Sequence, residues 1–337
     1  MTGKYLETDM SWPFLRKLCT SALVTLTLAL VAFDVGAQAW PTQPVKLIVF
    51  GPAGASADFT ARILATELEP IIGQPVIVEN KPGGAAAPAV SELRSGPRDG
   101  HKIMLSLNGL VTELPFAFKL SYNPTTDLAP LAQVAKLDLI LVGNKNVPAN
   151  DLKELVALVK AHPNTFNYGS YSPGTLSHIM GLQLNSAAGL DMTHIGYKGG
   201  TFNMSAVMAG DIQLAFDVIA NAVQFVKSGK MRAFAVSGTT RSPLLPDVPT
   251  FRESGFPQLE ESISFIVWTP PEVPVAIQAK IRAAVLKAMD KQSVRDKLAV
   301  QAIQPGTDLT PDALRAEMKK ESEVNERVLR SIGFKAE

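Results

Sequence analysis

Cysteine is almost missing from this sequence, since the 337 residues contain only Cys19. This residue lies before an apolar run near the N-terminus, whereas the lipidated cysteine of a lipoprotein follows such a run, so we do not expect a lipoprotein. A single cysteine also excludes an internal disulfide. An ordinary hydrophobic core must therefore stabilise the fold.

An excess of charge of either sign is missing too. The sequence has 32 Lys and Arg residues against 31 Asp and Glu residues, and its net charge is +1. Because there is no polybasic run, nucleic acid and anionic membrane surfaces are not expected as partners. Beyond residue 39 no stretch reaches 18 apolar residues, and we predict no membrane-spanning helix there.

Motifs of catalysis, metal binding and nucleotide binding are also missing. None of the four histidines has metal-ligand spacing from another histidine or a cysteine. The chain contains no G-x-S-x-G, no G-x-x-x-x-G-K-[ST] and no G-x-G-x-x-G. We therefore predict no catalytic residue, no metal and no cofactor, and we interpret His178 and His194 as hydrogen-bonded structural residues.

The first 39 residues have the pattern of a secretory signal peptide. A basic segment precedes an uncharged stretch at 18–33, and Ala37-Gln38-Ala39 matches a cleavage site. We predict cleavage after Ala39 and a periplasmic location. A retained membrane anchor is the alternative, and Met10 is an alternative start.

The rest of the chain alternates between short apolar strands and helical patterns, which is typical of βαβ units. We predict an α/β protein with two lobes, each a mostly parallel sheet flanked by helices, and a ligand cleft between the lobes. Strands near 137–142 and 264–268 are expected to cross between the lobes. The predicted lobes are residues 40–141 together with 265–337, and residues 142–264.

The loop after the first predicted strand is built from small residues and precedes a helix predicted at 58–72. Without bulky side chains, the backbone N–H groups at a helix N-terminus stay accessible and favour an anion. We therefore predict that Ala53, Gly54, Ala55 and Ser56 bind a small anion. Asp58 is either a further ligand contact or an acidic residue of the first helical turn.

Two other loops follow strands at the same predicted edge of the sheet. Ligands of open parallel sheets bind beyond the carboxyl ends of the strands. Asn108 follows the third predicted strand, and Ser170 and Thr175 follow the first strand of the second lobe. Ser170 and Thr175 are also placed to cap a helix predicted from residue 176, and capping is compatible with anion binding there.

Several sequence blocks, in order, carry a family likeness. The first block is Phe50-Gly51-Pro52-Ala53-Gly54-Ala55-Ser56-Ala57-Asp58-Phe59-Thr60-Ala61-Arg62, and others lie at 73–83, 168–178, 189–199, 210–217 and 241–250. On these blocks the chain resembles the extracytoplasmic solute-binding receptors of tripartite tricarboxylate transporters, often called Bug-type proteins. Ala55 stands where the family has glycine, and 85–88 partly replace a glycine-rich run.

The resemblance implies a type II periplasmic-binding fold and a monomeric receptor without enzymatic activity. Such a receptor would capture a di- or tricarboxylate, or a related organic acid, and deliver it to the permease subunits of a tripartite membrane transporter. The resemblance also implies Tyr197 and Asp217 as ligand contacts beside the hydroxyls of Ser170 and Thr175. Core packing is the alternative for Tyr197. For Asp217 we favour a ligand contact or the ordering of a cleft loop, and the alternative is a plain turn residue.

Two other functions stay open at this point. One is a secreted hydrolase or lyase that uses a carboxylate such as Asp58 or Asp217, although the chain shows no paired base and nucleophile. The other is a sensor subunit that presents its ligand to a membrane kinase. The sequence leaves open which acid is bound and which transporter or sensor is served.

Overall fold

The computed structural model describes Gly3 and residues 40–336. The predicted signal peptide, apart from Gly3, and its cleavage site thus lie outside the described residues. All elements named below belong to a unit that begins at Pro41. No helix in this described part has both the length and the apolar character needed to cross a membrane.

The strands are mostly short apolar segments that are buried in the sheet. They are β1 (Val45–Val49), β2 (Val76–Asn80), β3 (Lys102–Leu107), β4 (Ala129–Asn144), β5 (Asn167–Ser170), β6 (Thr193–Gly196), β7 (Leu214–Val218), β8 (Met231–Val236), β9 (Ser262–Thr269) and β10 (Ile303–Pro305).

Helices separate most of these strands and cover the sheet, as predicted from the alternating pattern. They are α1 (Ser56–Ile72), α2 (Ala87–Leu93), α3 (Gly109–Thr112), α4 (Leu114–Ala117), α5 (Pro124–Asp127), α6 (Leu152–Ala161), α7 (Leu176–Ala188), α8 (Gly200–Ala209), α9 (Ile219–Lys227), α10 (Val275–Met289), α11 (Gln292–Ala299) and α12 (Pro311–Ser331). Short 3₁₀ turns lie at Gly84–Ala86 and Pro257–Leu259.

The sheet is mixed, with the order β2-β1-β3-β9-β4-β7-β5-β6, and β8 and β10 also pair with β4. Strand β1 is parallel to β2 and β3, and β5 is parallel to β6 and β7. The central pairs that involve β4 or β9 are antiparallel. Parallel strands therefore lie at both ends of the sheet, with antiparallel strands joining them.

Strand β4 connects two portions of this sheet. Its residues 129–138 pair with β9 and β10, and its residues 139–144 pair with β7 and β8. We call β1, β2, β3, β9, β10 and residues 129–138 the first sheet portion. Strands β5–β8 with residues 139–144 are the second sheet portion. The chain crosses between the portions within β4 and again when it enters β9.

The first half of β4 was not predicted from the sequence, which indicated a strand only at 137–142. Pro130 and the polar Gln133 obscure the strand pattern. In the fold Gln133 is buried, but its amide donates to Ser264 Oγ at 2.9 Å and accepts from the Thr307 amide at 2.9 Å. Partners so distant in the chain satisfy a polar group that the local pattern would place at the surface.

Candidate functional site

A cavity of about 240 Å³ lies between the two sheet portions. The first portion and its helices contribute mainly apolar side chains to it, and the second contributes the loop between β5 and α7. Its lining residues are Phe50, Ala85, Leu107, Gly109, Leu110, Glu113, Leu114, Phe118, Tyr171, Ser172, Thr175 and Ile263. The cavity thus lies beyond the ends of β1, β3 and β5, where ligands of parallel α/β sheets bind.

A single carboxyl group, that of Glu113, lines this apolar cavity. Glu113 lies between α3 and α4 and is 8% exposed. Its Oε2 accepts a hydrogen bond of 3.0 Å from the amide of Leu176, the first residue of α7. The carboxyl group of Glu113 therefore reaches from the first sheet portion to the N-terminus of a helix of the second.

The surroundings of Glu113 disfavour its ionised form. Burial raises the pKa of Glu113 to about 8, although the hydrogen bond from the Leu176 amide acts to lower it. The carboxyl groups of Glu261 and Glu321 add to the rise because they are close enough to repel a negative charge on Glu113. Near neutral pH this side chain consequently retains its proton in most molecules.

The predicted residue Thr175 lines the cavity at the start of α7. Its hydroxyl donates to the Ser172 carbonyl at 2.6 Å and does not cap the helix. The amide of Gly174 donates to His178 Nδ1 at 3.1 Å. At this N-terminus the hydrogen bond from the Leu176 amide thus goes to Glu113, not to Thr175.

The predicted residues of the first loop lie at the start of α1. Ala53 and Gly54 are exposed, and Ala55 and Ser56 are half-buried. The Gly54 amide donates to Asp58 Oδ2 at 2.9 Å, and the Ala55 amide donates to the Pro52 carbonyl at 3.3 Å. Among the described residues, the amides of Ala53 and Ser56 have no hydrogen-bond partner, and of these two the Ser56 amide belongs to the first turn of α1.

Asp58 orders this loop from within the first turn of α1. Besides the Gly54 amide, its Oδ2 accepts Arg62 Nε at 3.0 Å, while its buried Oδ1 has no partner among the described residues. Burial acts to raise the pKa of Asp58, but the hydrogen bonds from Arg62, Gly54 and Asn80 outweigh it and lower the pKa below its ordinary value. The ionised carboxylate is therefore the stable form.

Asn108 joins two segments of the fold. It is buried, its Oδ1 accepts the Ser264 amide at 3.0 Å, and its Nδ2 donates to Glu321 Oε2 at 2.9 Å. Its own amide donates to the Ser264 carbonyl at 2.8 Å. These bonds tie the end of β3 to β9 and α12, and they engage both ends of the Asn108 side chain.

Ser170 contacts a histidine, but it does not have the exposure that a nucleophile needs. Its Oγ lies 2.7 Å from His194 Nε2 and 3.1 Å from the Ser172 carbonyl, and the residue is 0% exposed. The rings of His194 and His178 stack with centroids 3.6 Å apart. Burial lowers the pKa of His178 to about 4 and of His194 to about 3, so both rings are neutral near pH 7.

Tyr197 and Asp217 contact core residues of the second sheet portion. Tyr197 is half-buried and packs against the apolar cluster that contains Met204 and Val207. Asp217 is fully buried and accepts hydrogen bonds from Asn203 Nδ2 at 2.9 Å, Asn221 Nδ2 at 2.7 Å and the Val218 amide at 2.8 Å. Burial raises the pKa of Asp217, although these hydrogen bonds act to lower it.

Of the ten predicted site residues, Thr175 lines the cavity and the other nine are not among its lining residues. Glu113, Tyr171 and Phe50 line the cavity but were not among the site residues predicted from the sequence. For Glu113 a signal was present, because it is the only charged residue in the otherwise uncharged stretch 103–118. A lone glutamate in such a stretch indicates a buried acid.

A larger cavity of about 760 Å³ lies along α7, α12 and the start of β9. Its lining includes Gln183, Glu261, Glu317, Glu321 and Lys136. Burial raises the pKa of Glu321 to about 7. This cavity does not include any of the predicted site residues, and it brings two of its carboxyl groups close to Glu113.

Comparison with known proteins identifies the family. The model of the tripartite tricarboxylate transporter family receptors, TctC, matches residues 60–333. A Cupriavidus necator protein described as the UPF0065 protein in the gbd 5′ region is 33% identical over 286 residues, which are 84% of this chain and 86% of that protein. The chain belongs to the TctC family. It is therefore a periplasmic solute-binding receptor and not an enzyme.

Solved structures agree with this assignment. The periplasmic binding protein BugD is 28% identical, with a TM-score of 0.72 over 88% of this chain and 100% of that chain. MatC from Rhodopseudomonas palustris, solved with bound malate, is 28% identical, with a TM-score of 0.71 over 86% and 100%. An R. palustris protein solved with adipate is 25% identical, with a TM-score of 0.75 over 87% and 98%. The predicted α/β periplasmic-binding fold and the family resemblance are confirmed, except that the sheet is mixed and not mostly parallel, because β4 and β9 pair antiparallel with their neighbours.

Proposed function

We propose that this receptor captures a small organic acid in the cavity between the two sheet portions and delivers it to the permease of a tripartite membrane transporter. The observation that carries the proposal is the position of the cavity, beyond the ends of β1 and β3 and beside the start of α7. Relatives of the same fold were solved with malate and with adipate, which are both carboxylates.

The ligand carboxylate would bind at the start of α1. The Ser56 amide has no partner there, the helix dipole favours an anion, and Phe50 links the preceding strand to the cavity. Ala53, Gly54 and Ala55 would shape the loop around the carboxylate, and Asp58 would hold the loop in place. The body of the ligand would then lie against the apolar lining.

The second sheet portion would close over the ligand. Thr175 is the predicted residue that reaches the cavity, and Ser170, Tyr197 and Asp217 would position its loops through the contacts described above. Asn108 would act at the junction of β3 with β9. We further propose that residues 40–141 with 265–337 and residues 142–264 move as two lobes about β4 and the entry to β9, a hinge motion typical of such receptors.

A ligand screen tests this function. The purified mature protein would be heated in the presence of aliphatic and aromatic carboxylic acids, and the melting temperature recorded. A matching acid should raise the melting temperature, because it binds only the folded state, and mass spectrometry should recover it unchanged. If no acid raises the melting temperature, or if the recovered compound is altered, the proposal is wrong.

The export signal and the oligomeric state are tested separately. The intact mass of protein recovered from the periplasm should correspond to a chain that begins at Trp40, and light scattering should give a monomer. A chain that retains residues 1–39 would contradict the proposed cleavage after Ala39.

A further inference from the structure

We infer that Glu113 makes the receptor select acids with one carboxylate and an apolar body over dicarboxylates, because its side chain already fills the anion position of α7. This inference rests on the proposed function and narrows its ligand class. It separates this chain from the relatives solved with malate and adipate, which are dicarboxylates.

The first support is the place of the carboxyl group. Helix N-termini accept anions because their first amides lack partners within the helix. At α7 the Leu176 amide already donates to Glu113 Oε2 at 3.0 Å. A ligand carboxylate that approached this amide would have to displace the Glu113 side chain.

The second support is that the position of Glu113 is fixed by its surroundings. Glu113 is 8% exposed, and it packs against the backbone of α3 at Gly109. A Cβ atom at Gly109 would lie 3.1 Å from Glu113 Oε1, which is tighter than ordinary contact. The lack of a side chain at Gly109 leaves the room that the carboxyl group uses.

The third support is electrostatic. Burial raises the pKa of Glu113 to about 8 even though a helix N-terminus faces it. The carboxyl groups of Glu261 and Glu321 repel negative charge at the same place. A region that disfavours the charge of its own glutamate would disfavour the second carboxylate of a ligand for the same reasons.

The fourth support is the cavity lining, which suits an apolar body. Apart from Glu113 the larger side chains on the first side of the cavity are hydrocarbon: Phe50, Leu107, Leu110, Leu114, Phe118 and Ile263. Apolar surface removed from water contributes roughly 25 cal/mol per Å² to binding, whereas an unpaired polar group left there costs free energy. This lining suits a hydrocarbon body, with the single carboxylate of the ligand at the start of α1 as proposed above.

Calorimetry with matched pairs of acids tests the inference at pH 7. Each pair has the same number of carbons and differs by one carboxylate: butyrate and succinate, pentanoate and glutarate, hexanoate and adipate. The wild-type receptor should bind the monocarboxylate of its preferred length at least about tenfold more tightly than the matching dicarboxylate. A wild type that binds the dicarboxylate as tightly, or more tightly, overturns the inference.

Two variants of Glu113 then test whether its side chain excludes a second ligand carboxylate by occupying the N-terminus of α7. Glu113→Ala frees the Leu176 amide and the space beside it, so the dicarboxylate-to-monocarboxylate affinity ratio should rise at least about tenfold. Glu113→Gln keeps the size of the side chain and an acceptor for that amide, and the ratio should stay near the wild-type value. The matched control Glu323→Ala removes an exposed glutamate of α12 that lines neither cavity, and it should leave the affinity ratio unchanged.

The outcomes are distinguishable from failure of the proposed function. If Glu113→Ala binds but keeps the wild-type ratio, the inference is wrong while the carboxylate function stands. If Glu113→Ala does not fold, the wild-type pairs alone decide. If the wild type binds no acid of either series or of the wider screen, the proposed function fails and the inference fails with it.

Discussion

The N-termini of α1 and α7 differ in how their backbone amides are used. At α1 the Ser56 amide has no partner among the described residues, and Asp58 orders the loop before it. At α7 the Leu176 amide donates to Glu113, which comes from the other sheet portion. Two helix starts of the same kind are therefore not equivalent sites, because the side chains that reach them decide which one accepts a ligand.

The structure therefore changes the prediction for one of the two helix starts. The sequence predicted donors to the ligand on both sides of the cleft. The contacts favour a receptor in which α1 holds the carboxylate and α7 is closed by the carboxyl group of the protein itself. Four substitutions distinguish the two helix starts, beginning with the one that should change the protein most.

Glu113 at the start of α7 should make the stability of the protein depend on pH. The pKa of Glu113 is about 8 in the fold against an ordinary 4.5. Between these values the folded state binds a proton that the unfolded state has released. The contribution of protonated Glu113 to the free energy of unfolding is therefore complete below pH 4.5 and is lost as the pH rises to about 8.

We expect Glu113→Gln to remove this dependence, with a difference in the free energy of unfolding on the order of 5 kcal/mol across the window. Urea unfolding of both proteins between pH 4 and 9 measures it, with Glu323→Gln as the exposed control. Parallel curves for wild type and Glu113→Gln would show that the fold does not perturb this carboxyl group.

The substitution Ser56→Pro tests whether the start of α1 binds the ligand carboxylate. Ser56 is the first residue of α1 and Ala55 before it is extended (φ −76°, ψ 165°), so a proline fits the backbone and removes the amide N–H together with the hydroxyl. Affinity for the carboxylate should fall by about tenfold or more, while circular dichroism and the melting temperature stay the same. Ser56→Ala, which keeps the N–H, is the control. Equal affinity of Ser56→Pro and wild type would count against α1 as the carboxylate site.

The loop before α1 depends on the charge of Asp58. Its pKa is lowered in the fold, so its contribution to stability is present above the ordinary value of 3.8 and is lost as pH falls through the lower folded value. Asp58→Asn should cost about 1 kcal/mol at pH 7 and much less in strong acid. Urea unfolding at both pH values measures this, with the exposed first-turn residue Asp312 changed to Asn as control. The same cost at both pH values would contradict the assigned role.

A substitution of Thr175 should have the smallest effect on affinity and stability. The Leu176 amide at the start of α7 donates to Glu113 and not to the Thr175 hydroxyl. The Thr175 hydroxyl donates to the Ser172 carbonyl at 2.6 Å. Thr175→Val keeps the shape of the side chain, and we expect a cost below about 1 kcal/mol and less than about a twofold change in carboxylate affinity. Calorimetry and thermal unfolding measure both. A tenfold loss of affinity would mean that this hydroxyl contacts the ligand after all.

Features encoded in adjacent residues were predictable from the sequence. The small residues after β1 predicted the start of a helix, and Gly73 predicted its end: α1 ends at Ile72, and Gly73 adopts the left-handed conformation with φ 71°. The alternation of apolar strands and helices predicted the α/β class. In each case the signal and the structure lie within a few residues of each other.

Features that depend on distant partners were not predictable. The first half of β4 is stabilised by contacts of Gln133 with Ser264 and Thr307. Glu113 meets Leu176, which is 63 positions away, and Asn108 meets Glu321, which is 213 positions away. A single sequence does not show which buried polar residue will find which partner, so a residue such as Asn108 is equally consistent with a ligand contact and with a structural tie.

A crystal structure of the receptor with its carboxylate ligand bound would decide which of the two helix starts accepts the ligand. We expect a carboxylate oxygen to accept a hydrogen bond from the Ser56 amide. The hydrocarbon body should lie against Phe50, and Glu113 should still accept its hydrogen bond from the Leu176 amide. A ligand carboxylate on the Leu176 amide, with the Glu113 side chain displaced and the Ser56 amide unused, would contradict it.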